Sequence, residues 1–198
     1  MDARLPIFLF VAALVLGQPA ATAQQQPPPP PPAKQQPPKT QPAKPQEAKS
    51  ALPAADAQFL KHVNDDNLAE IETANLANTK STNDQVKALA SKLLTDHQEN
   101  QSELQGLASS KNVMLSSDVP AAKKSVKDRL SKLDGAAFDK AYVAEMIKDH
   151  KAAIAAFERA AKSADSEVKA FAGKTLPTLK EHLSQAQAVK ITEPTSTR

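Results

Sequence analysis

From Asp56 onward, apolar residues recur at three- and four-residue steps, the pattern of helices that each bury one face. Asp56 is placed to cap a first helix reaching about Asn78, with Phe59, Val63, Ile71 and Ala77 on its inner side. Thr82 opens a second helix, with Gln85 as its capping-box partner, and Val86, Ala90, Leu93, Leu104 and Ala108 keep one face apolar to about Ser110. The connection over 111–135 contains Val119-Pro120 as a helix start and Val126, Leu130 and Leu133 at i, i+4 and i+7. This predicts a short amphipathic helix ended by Gly135. A third long helix runs from about Ala136 to Ser163 with Phe138, Tyr142, Met146, Ile154 and Phe157. A fourth, capped by Ser163 or Asp165, carries Val168, Phe171, Leu176, Leu179, Leu183 and Val189. Two tight turns and one longer link predict an all-α, up-down-up-down four-helix bundle over 56–190, with the short extra helix between the second and third long ones. Pro177 falls inside the fourth helix, where it deprives the carbonyl of Gly173 of its usual donor and bends the axis.

Ahead of the bundle the pattern changes twice. Residues 1–23 read as a secretory signal peptide: Arg4, an apolar run from Leu5 to Leu16, and Ala21-Thr22-Ala23 as the cleavage site, so that the mature chain begins at Gln24. The apolar run is too short to span a bilayer as a helix. With no cysteine after it, a lipoprotein anchor is chemically excluded. Residues 24–55 are rich in Pro, Gln, Lys and Ala, and 13 of the 16 prolines lie in the first 55 residues. Such a stretch forms a disordered linker of polyproline II character. Its Lys34, Lys39, Lys44 and Lys49 could touch an anionic envelope surface weakly, or serve only as a soluble spacer. Residues 191–198 read as a disordered tail. These features predict export to the periplasm, with no transmembrane segment left after cleavage.

Composition removes several classes of function. The chain has no cysteine, which excludes disulfides, thiolate metal sites and cysteine nucleophiles, and it has no tryptophan. Residues 56–193 hold 19 basic and 20 acidic side chains, which excludes a strongly cationic nucleic-acid-binding domain. No nucleophile elbow, phosphate loop or zincin motif is present, which argues against an enzyme.

Chemistry concentrates in the histidines. His97, His150 and His182 share the phase of the apolar residues on three different helices, so all three face the bundle interior. Counting from the turns at one end, they fall within about 6 Å in height, with Glu70 of the first helix close to the same level. An acid precedes each one, in Asp96-His97, Asp149-His150 and Glu181-His182. Neighbouring side chains on a helix diverge, so each acid is placed to hydrogen-bond a histidine of another helix. Two readings follow. Glu70, His97, His150 and His182 form an N/O site for one divalent transition metal, zinc, copper or iron, with Asp96, Asp149 and Glu181 orienting the rings from behind. Alternatively, the same groups form a buried hydrogen-bonded network that fixes helix register. His62, one turn from Asp65 and Asp66, reads as a surface residue, Glu72 as solvent-facing or lysine-paired, and Tyr142 as a core aromatic with a wet hydroxyl.

Several segments then form a recognisable series: Ala69-Glu70-Ile71-Glu72 with Leu76-Ala77, Val86-Lys87 through Leu93-Leu94-Thr95-Asp96-His97, and Leu104-x-x-Leu107-Ala108. Phe138-Asp139-x-x-Tyr142, Asp149-His150 and Leu176-Pro177-x-Leu179-x-x-His182-Leu183 continue it. Over residues 56–190 the chain resembles the domain-of-unknown-function family 4142, bacterial proteins associated with the outer membrane. The resemblance implies an exported, ferritin-like four-helix bundle and carries no established activity. Di-iron bundles use Glu-x-x-His on two helices, but here the residues three before the histidines are Leu94, Ile147 and Leu179, which cannot bind iron. The expected function is therefore a non-enzymatic structural, stress or interaction module of the envelope with a protein or envelope partner, or a metal-binding module using the interior cluster.

Overall fold

Five helices account for nearly all of residues 52–191, the part of the chain that the computed structural model describes: α1 (Ala54–Lys80), α2 (Asp84–Ser110), α3 (Ala121–Ser131), α4 (Gly135–Ala160) and α5 (Ser166–Ala188). No strand occurs among the described residues, so the fold is all-α. The expected signal peptide, its cleavage site, the linker lysines and the C-terminal tail from Thr192 lie outside the described residues.

Local chemistry explains the boundaries. Asn83, not Thr82, caps α2: its side chain accepts from the backbone N–H groups of Gln85 and Val86. Asn is as good a cap as Thr, and its carbonyl reaches both orphan donors. Asp165 does the same for α5 through the N–H groups of Glu167 and Val168. Pro120 precedes α3, as the sequence predicts. Gly135 does not end α3 but opens α4; its φ of +54° is a left-handed conformation that side chains resist, and it turns the chain between the two helices. Helix α5 continues through Pro177.

The three-residue connection 81–83 folds α2 back along α1, and 161–165 folds α5 back along α4. α2 also packs on α5 and α1 on α4, while α3 lies across α1 and α4. Alanines at buried positions, including Ala74, Ala77, Ala90, Ala108 and Ala172, let the helices approach closely. Lys111, just past α2, clamps the start of α5 by pairing with Asp165 at 2.6 Å and with Glu167.

The interior is not continuously apolar. One cluster gathers Ala77, Val86, Leu93, Leu130, Phe138 and Met146; a second gathers Leu60, Leu104, Phe157, Val168, Phe171 and Leu179. Between them lies a layer of buried polar side chains, Asn67, Glu70, His97, Gln101, His150 and His182. Among the described residues no helix is long and apolar enough to cross a membrane.

Candidate functional site

Each long helix contributes one group to the polar layer: Glu70 from α1, His97 from α2, His150 from α4 and His182 from α5. All four are at most 5 % exposed. The ring centroids of the three histidines are 5.2 to 5.7 Å apart, and a nitrogen from each can be chosen so that the three lie within 4.8 Å of one another. His97 Nε2 is 2.8 Å from Glu70 Oε2, and His150 Nε2 is 3.7 Å from the same oxygen.

What stands behind each ring decides what its inner nitrogen offers. His150 Nδ1 lies 2.9 Å from the Met146 carbonyl, which can only accept, so Nδ1 carries the hydrogen and Nε2 a lone pair in the neutral ring. His182 Nε2 lies 2.7 Å from Asp96 Oδ2. Burial raises the Asp96 pKa, but hydrogen bonds from Lys92 and His182 outweigh it and leave the carboxyl below its ordinary value. An ionised Asp96 places the His182 hydrogen on Nε2 and the lone pair on Nδ1.

His97 is oriented by a longer chain. The Asn64 amide donates to the Ser116 carbonyl at 3.0 Å, Gln101 donates to Asn64 Oδ1 at 2.7 Å, and Asn67 donates to Gln101 Oε1 at 3.1 Å. Asn67 Oδ1 is thereby turned toward His97 Nδ1, 3.0 Å away. It accepts the hydrogen there and leaves the neutral ring's lone pair on Nε2. Asn67 also donates to Asn100 Oδ1 at 2.9 Å, which holds the amide in the same sense.

The inner nitrogens of His97 and His150 therefore both approach Glu70 Oε2, and that of His150 also approaches His182. His150 Nε2 and His182 Nδ1 are only 3.1 Å apart. The 2.8 Å approach of His97 Nε2 to Glu70 Oε2 lacks hydrogen-bond alignment, and both atoms are buried without a hydrogen-bond partner. Burial alone would raise the Glu70 pKa, but the charges of His97, His150 and His182 bring it down to about 2. Burial disfavours the His97 cation, yet the Glu70 charge overcomes that and raises its pKa. Burial, reinforced by the positive charge of the other two rings, lowers His182 to about 4 despite its bond to Asp96.

Of the three acids expected to orient the rings, Asp96 meets a histidine of another helix. Glu181 is exposed and goes to Gln185 at 2.9 Å and Lys92 at 3.7 Å, because its position on α5 faces outward. Asp149 makes no hydrogen bond to a histidine among the described residues; burial and the charges of Glu70 and Glu145 raise its pKa to about 6, against the opposing pull of Lys123 and Lys148. The carbonyl of Met146 and the amides of Asn64, Asn67 and Gln101 do the work expected of Asp149 and Glu181. Sequence reasoning passed over Asn64 and Asn67, although their three-residue step to Glu70 is a helical signal.

His62 is exposed and pairs with Asp66 at 3.3 Å, and Glu72 pairs with Lys127 at 3.1 Å, as the sequence predicts. Tyr142 differs: its hydroxyl is fully buried and has no hydrogen-bond partner in the protein, and burial with the nearby charge of Glu70 holds its pKa above the usual tyrosine value.

An all-helical fold with a buried three-histidine, one-carboxylate cluster thus defines the molecule. The chain belongs to the family described as domain of unknown function DUF4142, whose profile matches residues 41–189. It is similar in structure to a crystallised fragment of a DUF305 protein from Deinococcus radiodurans, with a TM-score of 0.63 and 14 % sequence identity, over 70 % of this chain and 96 % of that one. At that identity the likeness concerns the fold alone. No functionally curated protein matches the chain in sequence.

Proposed function

We propose that this protein is an exported, ferritin-like four-helix bundle of the bacterial envelope that binds one divalent transition-metal ion, Zn2+ or Cu2+, through His97, His150, His182 and Glu70. The observation that carries the reading is the orientation of the three rings. Every outer ring nitrogen is held as a donor by Asn67, Met146 or Asp96, which leaves the inner nitrogens of His97 and His150 toward Glu70 Oε2 and that of His182 toward His150. Three imidazoles and a carboxylate suit zinc or copper, and hydrogen-bonded outer nitrogens are the usual support for histidine ligands. The unpartnered atoms Glu70 Oε2 and His97 Nε2 fit the same account, because a cation would satisfy both. Four protein ligands would complete a zinc ion's coordination, which favours holding the metal over catalysis with it.

The test is titration of the purified protein with zinc, followed by thermal unfolding and metal analysis. We expect one ion per chain and a stabilisation of about 4 kcal/mol at a thousandfold excess over Kd, lost in His97→Ala. No retained metal and an unchanged Tm at saturating zinc would reject the reading in favour of the hydrogen-bonded network alone.

A further inference from the structure

The buried cluster is separated from solvent by very little on one side. A small cavity of about 30 Å³ is bordered by Glu70, His97 and His182, and reaches Asp96, Asn100, Thr175 and Thr178 on one side and Asp66 on the other. Outside lies a surface cleft of about 180 Å³ between α2 and α5, and those last four residues line it too. The wall between cleft and cavity is therefore a single layer of side chains. Two contacts tie α2 to α5 across it, Asp96 Oδ2 to His182 Nε2 at 2.7 Å and Asn100 Nδ2 to Thr175 Oγ1 at 3.1 Å. Thr175 is held in turn by its bond to the Phe171 carbonyl at 2.9 Å. Two positions further on, Pro177 has no N–H to give to the Gly173 carbonyl, which removes one backbone restraint from this stretch of α5. The cleft carries Asp96, Glu99 and Glu103, and its two lysines are already committed, Lys92 to Asp96 and Lys174 to Glu103.

The opposite side is closed differently. There α3 crosses α1 and α4, and its Lys123 pairs at 2.8 Å with Asp66, which also borders the cavity, so an ion pair under a helix covers that side.

We infer that a divalent metal ion reaches and leaves the histidine cluster across the α2–α5 seam, through the Asn100–Thr175 bond and past Thr178, not beneath α3. This rests on the metal-binding reading above and adds the route. An ion passing the seam meets Asp96 first, then His182 and His97, with His150 furthest inside and not bordering the cavity.

The route is read by stopped-flow uptake of Zn2+ and by zinc release to excess EDTA, alongside the equilibrium Kd. Thr178→Phe fills the seam and should slow uptake and release by a common factor of about ten or more, leaving Kd within about twofold. Thr175→Val removes the cross-linking acceptor at constant volume and should speed both; if Thr178→Phe fails to fold, this variant decides. Lys123→Ala should leave both rates unchanged. If the wild type binds zinc but its rates are indifferent to both seam substitutions, or rise in Lys123→Ala, the route is wrong and the site stands. A wild type that binds no zinc removes the site and the route together.

Discussion

His150 and His182 face each other through two nitrogens 3.1 Å apart, while Met146 and Asp96 hold the hydrogens on the far sides of their rings. Two neutral rings so constrained present lone pair to lone pair, which is unfavourable unless a proton or a metal ion sits between them. A layer built in this way has unequal tolerance to substitution, and its members separate by experiment.

Asp96 supports His182 from outside the cluster. Asp96→Asn keeps the shape but removes the negative charge facing the ring, and metal affinity should fall by about 10- to 100-fold. Competition with a calibrated chelator measures this, and circular dichroism of the variant should be unchanged.

Asn67 has three partners in one amide: it donates to Asn100 and Gln101 and accepts from His97. Asn67→Leu leaves those groups unpaired in the interior, and denaturant unfolding of the metal-free protein should show a loss of about 1 to 3 kcal/mol. A neutral result would mean that water replaces the amide at no cost.

Tyr142 offers the reverse case, because its hydroxyl has nothing to lose. Tyr142→Phe removes an unpartnered buried polar group, so stability should rise by up to about 1 to 3 kcal/mol in urea unfolding. A loss of that size would show that the hydroxyl has a partner in solution.

At the far end of the interior, Asp165 both caps α5 and receives Lys111. Burial raises its pKa, but the Lys111 contact and the N–H groups of Val168 and Glu167 together outweigh that and hold it below the ordinary carboxylate value. A carboxylate depressed in the folded state contributes stability that is complete above its unfolded pKa and lost as pH falls through the folded one. Asp165→Ala should therefore cost about 0.5 to 2 kcal/mol near neutrality. Its stability should also fall less steeply than the wild type's on acidification below the ordinary Asp range, as measured by unfolding at a series of pH values.

The helices were readable in the sequence where burial is apolar. On α2 the residues Val86, Ala90, Leu93, Leu104 and Ala108 mark the inner face, and all of them are buried. α1 was harder, because its inner face carries Asn64, Asn67, Glu70 and Thr73, while Phe59 and Ile71 lie at its edges. Hydrophobic periodicity does not register polar side chains whose burial is made tolerable by partners on other helices. The meeting of the three histidines was legible because their spacing follows the apolar phase of α2, α4 and α5. The groups behind them were less so: a backbone carbonyl such as that of Met146 has no residue-type signature, and the adjacent acids looked alike in sequence although only Asp96 points toward a neighbouring ring.

Ser116 lies in the connection between α2 and α3, yet its carbonyl is the fixed end from which Asn64, Gln101 and Asn67 take their orientation in turn. Each amide can flip, and reversing one presses those downstream to reverse as far as Asn67, which Asn100 holds from the other side. A peptide rotation at the protein's periphery, with Asn100 turning in step, would move the hydrogen of the neutral His97 ring from Nδ1 to Nε2 and block its inward nitrogen. The setting of a buried ring is in this sense shared between a loop at the periphery and a side chain of α2.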